Sequence, residues 1–342
     1  MTISLDELPN ARAFTWLDGE RVVVFREGAL SEALDILRGQ GWEHFELLST
    51  PRALAEAPVG LGETAVAAHE VPPGRVADVS AEIIDSVTTP TLVALGGGRV
   101  IDVAKAIAAV RGGRVAAIPT TLSGAPITRF HRFPAGHDAP HLVRPTLLIA
   151  DPGPMTGLDE HPLRATAMNA LAHGAEALYG PVGNPVATLT GLRGAELMAR
   201  ALDHDEGERD NAALALGALL CGYAVDNSGL GPHHAICQEL VRVMGIPHAE
   251  TNATMLPRTM AMMRPRFPSA LDALVQSLGV PIESLKDRIT LLGGGPRKLS
   301  DLGAEPERIP AAVDAIHGRL ANAPIPDPPG PDEIKALIEA AW

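Results

Sequence analysis

The sequence predicts a parallel α/β domain over residues 1–152 followed by an all-α domain over residues 153–342. Three observations predict it. In the first part, short apolar runs alternate with helical stretches, the pattern of a parallel sheet covered on both faces. From about residue 160 the apolar periodicity is helical throughout, with almost no strand candidates. Between the two textures "ADPGPMTGLDEHP" concentrates Pro and Gly, which places a boundary near residues 150 to 160.

Taken in order, "RVVVF" reads as a strand, "GALSEALDILRGQG" as a helix with Gly at its end, and "HFELLS" as the next strand. "TAVAAHEV" and "TLVALGG" follow as strands with the helix "VADVSAEIIDSV" between them, and "RVAAIPT" is a strand ending at Pro119. In the second part, "LRATAMNALAHGAEALYG" and "PVATLTGLRGAELMARAL" carry helical periodicity. The tail "APIPDPPGPDEIKALIEAAW" is a proline-rich connector and then one short amphipathic helix. There is no internal repeat or low-complexity tract.

Composition narrows the function classes. At 342 residues the chain suits two cores, and 46% hydrophobic residues with only 3% aromatics make those cores mostly Ala, Val, Leu and Ile. With 41 acidic against 28 basic residues the formal charge is -13, which repels nucleic acid and anionic lipid. No apolar run reaches the roughly 20 residues that cross a bilayer, and "MTISLDELPNARAF" has no basic start or apolar core of a signal peptide, so a cytoplasmic protein is expected. Cys221 and Cys237 are too few for a disulfide framework and read as reduced and buried.

The sharpest local signal is "TLVALGGGRVIDVAKAIA", a buried strand that runs into Gly96, Gly97 and Gly98 and then into a helix. Bare backbone can approach an anion closely there, and the helix N-terminus offers free N–H groups, a geometry suited to a pyrophosphate. Ile101 occupies the third position of G-x-G-x-x-G, so the usual dinucleotide fingerprint is not met. A tight strand-to-helix turn without ligand is the other reading.

"GGGRVIDVAKAIA" followed by "IPTTLSGAPIT" resembles the paired nucleotide motifs of the iron-containing alcohol dehydrogenase superfamily. "MNALAHGAEALYGPVGNP" and "HHAICQELVRVMGIPHAETNA" resemble its maleylacetate reductase branch, and the similarity runs from roughly Arg21 to the closing "ALIEAAW". The resemblance implies the dehydroquinate synthase-like fold of that superfamily: an α/β dinucleotide-binding domain, an all-α domain, an active site in the cleft between them, and a homodimer. By position, Gly96, Gly97 and Gly98 would contact the pyrophosphate of NADH or NADPH, Asp102 would lie toward the nicotinamide, and Thr120, Thr121 and Thr128 would line the groove. Lys105 also matches, and its simpler reading is a helix residue paired with a nearby carboxylate. The second strand ends in Ser49, Thr50 and Arg52 where an acidic residue would clamp the ribose, so a 2′-phosphate is not repelled.

The same resemblance frames "GPHHAICQELVRVMGIPHAETNA". In metal-dependent members an Asp and three His hold the cation. Here those positions are Asn169, His173, His234 and His248, with Asn169 and His173 one helical turn apart. An amide is a far weaker donor than a carboxylate, and the maleylacetate reductase branch carries Asn there and works without bound metal, so a metal-free site is expected. Three further histidines of that branch are replaced by Gln238, Asn252 and Arg258, and its usual Glu by Pro126. Glutamine does not titrate near neutrality, so a proton step served by that histidine is lost or has moved. The substrate hairpin is rewritten as "FHRFPAGHDAPHLVRP", with Arg129, His131, Arg132, His137 and His141 in or beside it, either a solvated loop or a holder of acidic substrate.

Three functions fit these residues. The first is a metal-independent, NAD(P)H-dependent reductase of a small carbonyl or enone compound, with or without a carboxylate. His234 or His173 would polarise the oxygen or donate the proton, and Arg258 would pair with a carboxylate. The second is a repurposed lyase, isomerase or cyclase on the same fold. The third is a silent homologue whose histidines are merely satisfied between helices.

Overall fold

The computed structural model describes residues 19–204 and 208–342, which divide into two compact units, one ending at Leu158 and the other beginning at Asp159. The N-terminal unit runs β1 (Val22–Phe25), α1 (Ala33–Gly39), β2 (Glu46–Ser49), α2 (Pro51–Ala55), α3 (Leu61–Thr64), β3 (Ala67–Glu70), α4 (Val76–Ile83), β4 (Thr91–Gly96), α5 (Gly98–Arg111), β5 (Arg114–Pro119), β6 (Leu147–Ala150) and α6 (Pro152–Met155). Its strands form a parallel sheet in the order β1-β6-β5-β4-β2-β3. From β2 the chain goes outward to β3, then returns to β4 and proceeds the other way, so the direction of winding reverses between β2 and β4. Ligands of open α/β sheets bind at such a point, beyond the carboxyl ends of the strands. The register aligns Ser49 with Leu95 and Gly96 with Pro119, which brings the ends of β2, β4 and β5 to one rim.

The strands form because their apolar runs are buried on both faces. Leu92 to Leu95 of β4 and Val115 to Ile118 of β5 are almost wholly inaccessible. One face packs Leu37, Trp42, Phe45, Leu47, Leu95 and Ile149 into a core. β6 escaped the sequence reading: four apolar residues between Thr146 and Asp151 are too short to separate from any other apolar run, and only pairing with both β1 and β5 makes them a strand. At the opposite ends of the strands, buried Glu46 accepts the N–H groups of Thr88 and Thr89 and the Thr88 hydroxyl, all at 2.7 Å, and pairs with His69, which fixes the lead into β4.

The segment from Phe130 to Pro145 contains no strand. It is tied down at intervals: the Ala135 N–H donates to the Ala77 carbonyl (2.9 Å) and the Val143 N–H to His131 Nε2 (3.0 Å). His137 and His141 are exposed, whereas His131 is half-buried and its pKa is lowered by desolvation.

The C-terminal unit contains α7 (Glu160–Ala177), α8 (Pro185–Leu202), α9 (Asn211–Ser228), α10 (Pro232–Met244), α11 (His248–Met263), α12 (Pro268–Ser277), α13 (Leu285–Leu292), α14 (Ile309–Leu320) and α15 (Pro331–Glu339), with no strand among the described residues. Starts are written locally: Asn184 caps α8 by accepting from the Ala187 N–H (3.0 Å) and Asp210 caps α9 through the Ala213 N–H (2.8 Å). Small residues set the spacing of α7, α8 and α9. A Cβ on Gly174 would meet Cys221 Sγ at 2.6 Å and one on Gly194 the Gly217 carbonyl oxygen at 2.8 Å, so these helices touch almost backbone to backbone. Burial pushes the Cys221 thiol up to about 12, which keeps it an inert packing atom. A second core joins Ile236, Leu240, Met255, Ile316, Ile334 and Ile338, docking the tail helix α15 against α10, α11 and α14. Among the described residues no single helix is long and apolar enough to cross a membrane.

Candidate functional site

At the rim of the sheet, β4 ends on Gly96 with φ +155, a backbone conformation that L side chains rarely adopt, and a Cβ there would meet Val100 at 2.8 Å. Gly97 is the N-cap of α5 and no side chain caps that helix. Its first N–H groups are therefore available to an external anion. A Cβ on Gly98 would lie 2.8 Å from Ser123 Oγ, and one on Gly97 would lie 3.1 Å from Thr121 Cγ2, so Thr121 and Ser123 form the facing wall of the turn. The hydroxyls of Thr120 and Ser123 are buried without a partner. Two orphaned hydroxyls beside an uncapped helix start leave room for a phosphate's oxygens. Thr128 is buried in the same segment, its N–H bonded to the Gly124 carbonyl.

Lys105 of this motif, and Ser49 and Thr50 at the end of β2, have structural uses. Lys105 is fully buried and donates to Asp102 (2.7 Å) and to the carbonyls of Ala125 (3.1 Å) and Phe130 (2.7 Å), which uses all three ammonium hydrogens. The simpler reading of Lys105 is the one the geometry matches. Thr50 caps α2 by accepting from the Ala53 N–H at 3.3 Å, and the Ser49 hydroxyl turns inward to the Leu95 carbonyl at 2.9 Å. That leaves Arg52 exposed on the first turn of α2, with Glu70 of β3 in register with Ser49.

In the C-terminal unit, α7 presents Asn169, His173 and Glu176 at positions i, i+4 and i+7 of one face, against His234 of α10. His173 and His234 stack with ring centroids 4.5 Å apart and planes 8° from parallel. Asn169 Oδ1, His173 Nδ1 and His234 Nε2 are all buried without a partner. The other nitrogen of His234, Nδ1, lies 2.6 Å from Glu176 Oε2. Desolvation lowers the pKa of His173 well below the usual imidazole value, followed by His234 and His248, and takes His234 to about 3, with His248 as the next cause. Both rings are therefore neutral at pH 7. Burial raises Glu176, opposed by His233 and by the backbone N–H groups of residues 231, 233 and 234.

His233 is a structural histidine. Its Nδ1 meets the Thr259 hydroxyl at 2.7 Å and its Nε2 donates to Asn252 Oδ1 at 3.0 Å. The Asn252 amide in turn donates to the His248 carbonyl (2.8 Å) and to His248 Nε2 (3.3 Å), so Asn252 joins His233 of α10 to His248 of α11. Gln238 accepts from Arg319 at 2.7 Å. Arg258 differs from the expectation that it pairs with a substrate carboxylate. Its Nε donates to the Ala340 carbonyl (2.9 Å), Nη1 to the Thr254 carbonyl (2.6 Å) and Nη2 to the Arg297 carbonyl (3.4 Å), because the fork that matches a carboxylate also matches backbone carbonyls that converge on it.

These donors do not fit a divalent cation. Lone pairs of imidazole lie in the ring plane, and two rings 8° from parallel do not converge on one point about 2.0 Å from each nitrogen. None of the three atoms Asn169 Oδ1, His173 Nδ1 and His234 Nε2 is a carboxylate oxygen, Asn169 supplying an amide. Among the described residues no group of three or more His, Cys, Asp or Glu side chains is set to hold a metal ion.

Glu176 is the side chain of this cluster that the sequence reading missed. Its signal was present, a lone acid in the Ala-rich run "NALAHGAEA" one turn beyond His173, but its partner on α10 lies 58 positions away.

Comparison with known proteins agrees with both units. Residues 164–342 match the Fe-containing alcohol dehydrogenase family, C-terminal, and residues 24–130 match iron-containing alcohol dehydrogenase. The chain is 31% identical over 345 residues to a maleylacetate reductase of Burkholderia cepacia, covering 94% of this chain and 95% of that protein. It superposes on the crystal structure of maleylacetate reductase from Rhizobium sp. strain MTP-10005 with a TM-score of 0.85 at 25% identity, over 97% of this chain and 98% of the other. It shares the fold of sulfoacetaldehyde reductase from Bifidobacterium kashiwanohense in complex with NAD+, with a TM-score of 0.78 at 20% identity over 96% and 99% of the two chains.

Proposed function

The chain belongs to the iron-containing alcohol dehydrogenase family and is an oxidoreductase, and from that premise we propose that it is a metal-independent NAD(P)H-dependent reductase of a small carbonyl or enone compound. The observation that carries this reading is the set of three buried, unpartnered polar atoms, Asn169 Oδ1, His173 Nδ1 and His234 Nε2. Buried polar atoms are rarely left unbonded, so such a set points to a ligand with hydrogen-bonding groups of its own.

NADH or NADPH supplies the hydride. The N–H groups at the start of α5 hold its pyrophosphate, and the Thr120 and Ser123 hydroxyls complete the cradle. On the same rim, at the end of β2, exposed Arg52 donates to a 2′-phosphate, so both dinucleotides bind. His173, neutral and with no hydrogen bond to either ring nitrogen among the described residues, polarises the substrate oxygen, while Asn169 and His248 shape the pocket around it. Stabilising a developing oxyanion by N–H donors needs no Lewis acid.

The test is direct. Purified protein reduces maleylacetate, the substrate named for its relatives, or one member of a panel of small aldehydes, ketones and enones, with consumption of NADH or NADPH followed by absorbance. No consumption with any of them, or no binding of either dinucleotide at millimolar concentration, sinks the reading. Elemental analysis of protein purified without chelator returns well below one Zn or Fe per chain, and activity survives dialysis against chelator. A full equivalent of metal that activity requires would overturn metal independence alone.

A further inference from the structure

Glu176 is fully buried, and both its oxygens are engaged at the start of α10. Oε1 accepts from the N–H groups of His233 (2.6 Å) and His234 (3.3 Å), and Oε2 accepts from the Gly231 N–H (3.1 Å) and lies 2.6 Å from His234 Nδ1. Backbone N–H groups can only donate, so three of the four contacts require acceptor oxygens. The first turn of a 13-residue helix also favours a negative charge at that place. With Glu176 held as a carboxylate by these N–H groups and the helix start, the fourth contact is a donation from His234 Nδ1–H. A neutral imidazole carries one hydrogen, so Nε2 is left with its lone pair, and Nε2 is the atom that is buried without a partner beside His173.

We propose that Glu176 is a positioning residue that locks His234 in the Nδ1–H tautomer and turns the bare Nε2 toward the substrate, making His234 the hydrogen-bond acceptor for a substrate hydroxyl. His173 is then the donor of the stacked pair, and the two rings present opposite polarities to one ligand. That division of labour suits a compound whose reacting group is an oxygen in one redox state and a hydroxyl in the other. The use made of Nε2 rests on the reductase reading, whereas the tautomer does not.

The deciding experiment is NMR of the full-length protein labelled with ¹⁵N-histidine, His234 being assigned by the signals missing from His234→Gln. The expected result is a protonated Nδ1 and an unprotonated Nε2. A hydrogen found on Nε2 would overturn the proposal without touching the reductase reading. Glu176→Gln supplies the second arm. Its amide oxygen in the place of Oε1 keeps the bonds from the His233 and His234 N–H groups and the Gly231 bond is lost, while its NH2 now donates toward Nδ1 and drives His234 to the other tautomer. In the maleylacetate and NADH assay kcat falls by about 100-fold while the affinity for NADH is unchanged. A variant that switches tautomer yet keeps wild-type kcat sinks the positioning role, and a wild-type protein that shows the tautomer but reduces nothing sinks only the reductase reading.

Discussion

Gly97→Leu abolishes dinucleotide binding while the N-terminal unit stays folded. The backbone of Gly97, φ -75 and ψ -178, is open to any residue, so no conformational strain is added. A Cβ there lies 3.1 Å from Thr121 Cγ2, a contact that gives by a few tenths of an ångström. The rest of the leucine then covers the N–H groups at the start of α5 that a pyrophosphate needs. Dissociation constants for NADH and NADPH, followed by nicotinamide fluorescence, rise by more than about 100-fold, a loss of roughly 3 kcal/mol. Thermal melting reports whether the fold survives. A Leu variant that still binds NADH as tightly as the parent would mean that the glycine turn is only a turn.

The second large effect is acid lability well above the carboxylate range. His233 and His234 have pKa values pushed down to about 3, in both cases first by burial, and His173 is also well below its ordinary value. In the unfolded chain each titrates near 6.5. Above that value neither state is charged and stability is full. As pH falls from about 6.5 toward 3, the unfolded chain takes up protons that the folded chain refuses, so each histidine removes up to about 1.4 kcal/mol per pH unit. Glu176, raised by burial, acts in the opposite sense, but it is one group against three. Urea unfolding at pH 7.5 and pH 5.0 therefore shows a marked drop in the midpoint at the lower pH, and His233→Asn reduces the drop. An equal midpoint at the two values would show that the imidazoles are not buried neutral groups.

How much of this was legible depends on the range of the interactions. α7, α8 and α15 follow from periodicity because each buries one face or is buried all round, and the asparagine, aspartate and proline residues at helix starts act within four positions. β6 was not legible, since its four residues are a strand only through their neighbours. In the site, His173, His234 and His248 stood out as residue types, but their roles did not. Arg258 reads as a carboxylate binder in sequence and is tied to three carbonyls in space. Asn252 reads as a lost histidine and proves to be an amide bridge between His233 and His248, a use that needs one donor and one acceptor on the same side chain.

Composition, periodicity and the order of the motifs therefore determined the fold class, the family and the glycine turn, because strand, turn and helix there follow one another within twenty residues. The tertiary structure decided which imidazole nitrogen is bare. That choice is made by Glu176, which reaches His234 from another helix, and a proton's place on a ring depends on the atom opposite it rather than on any neighbour along the chain.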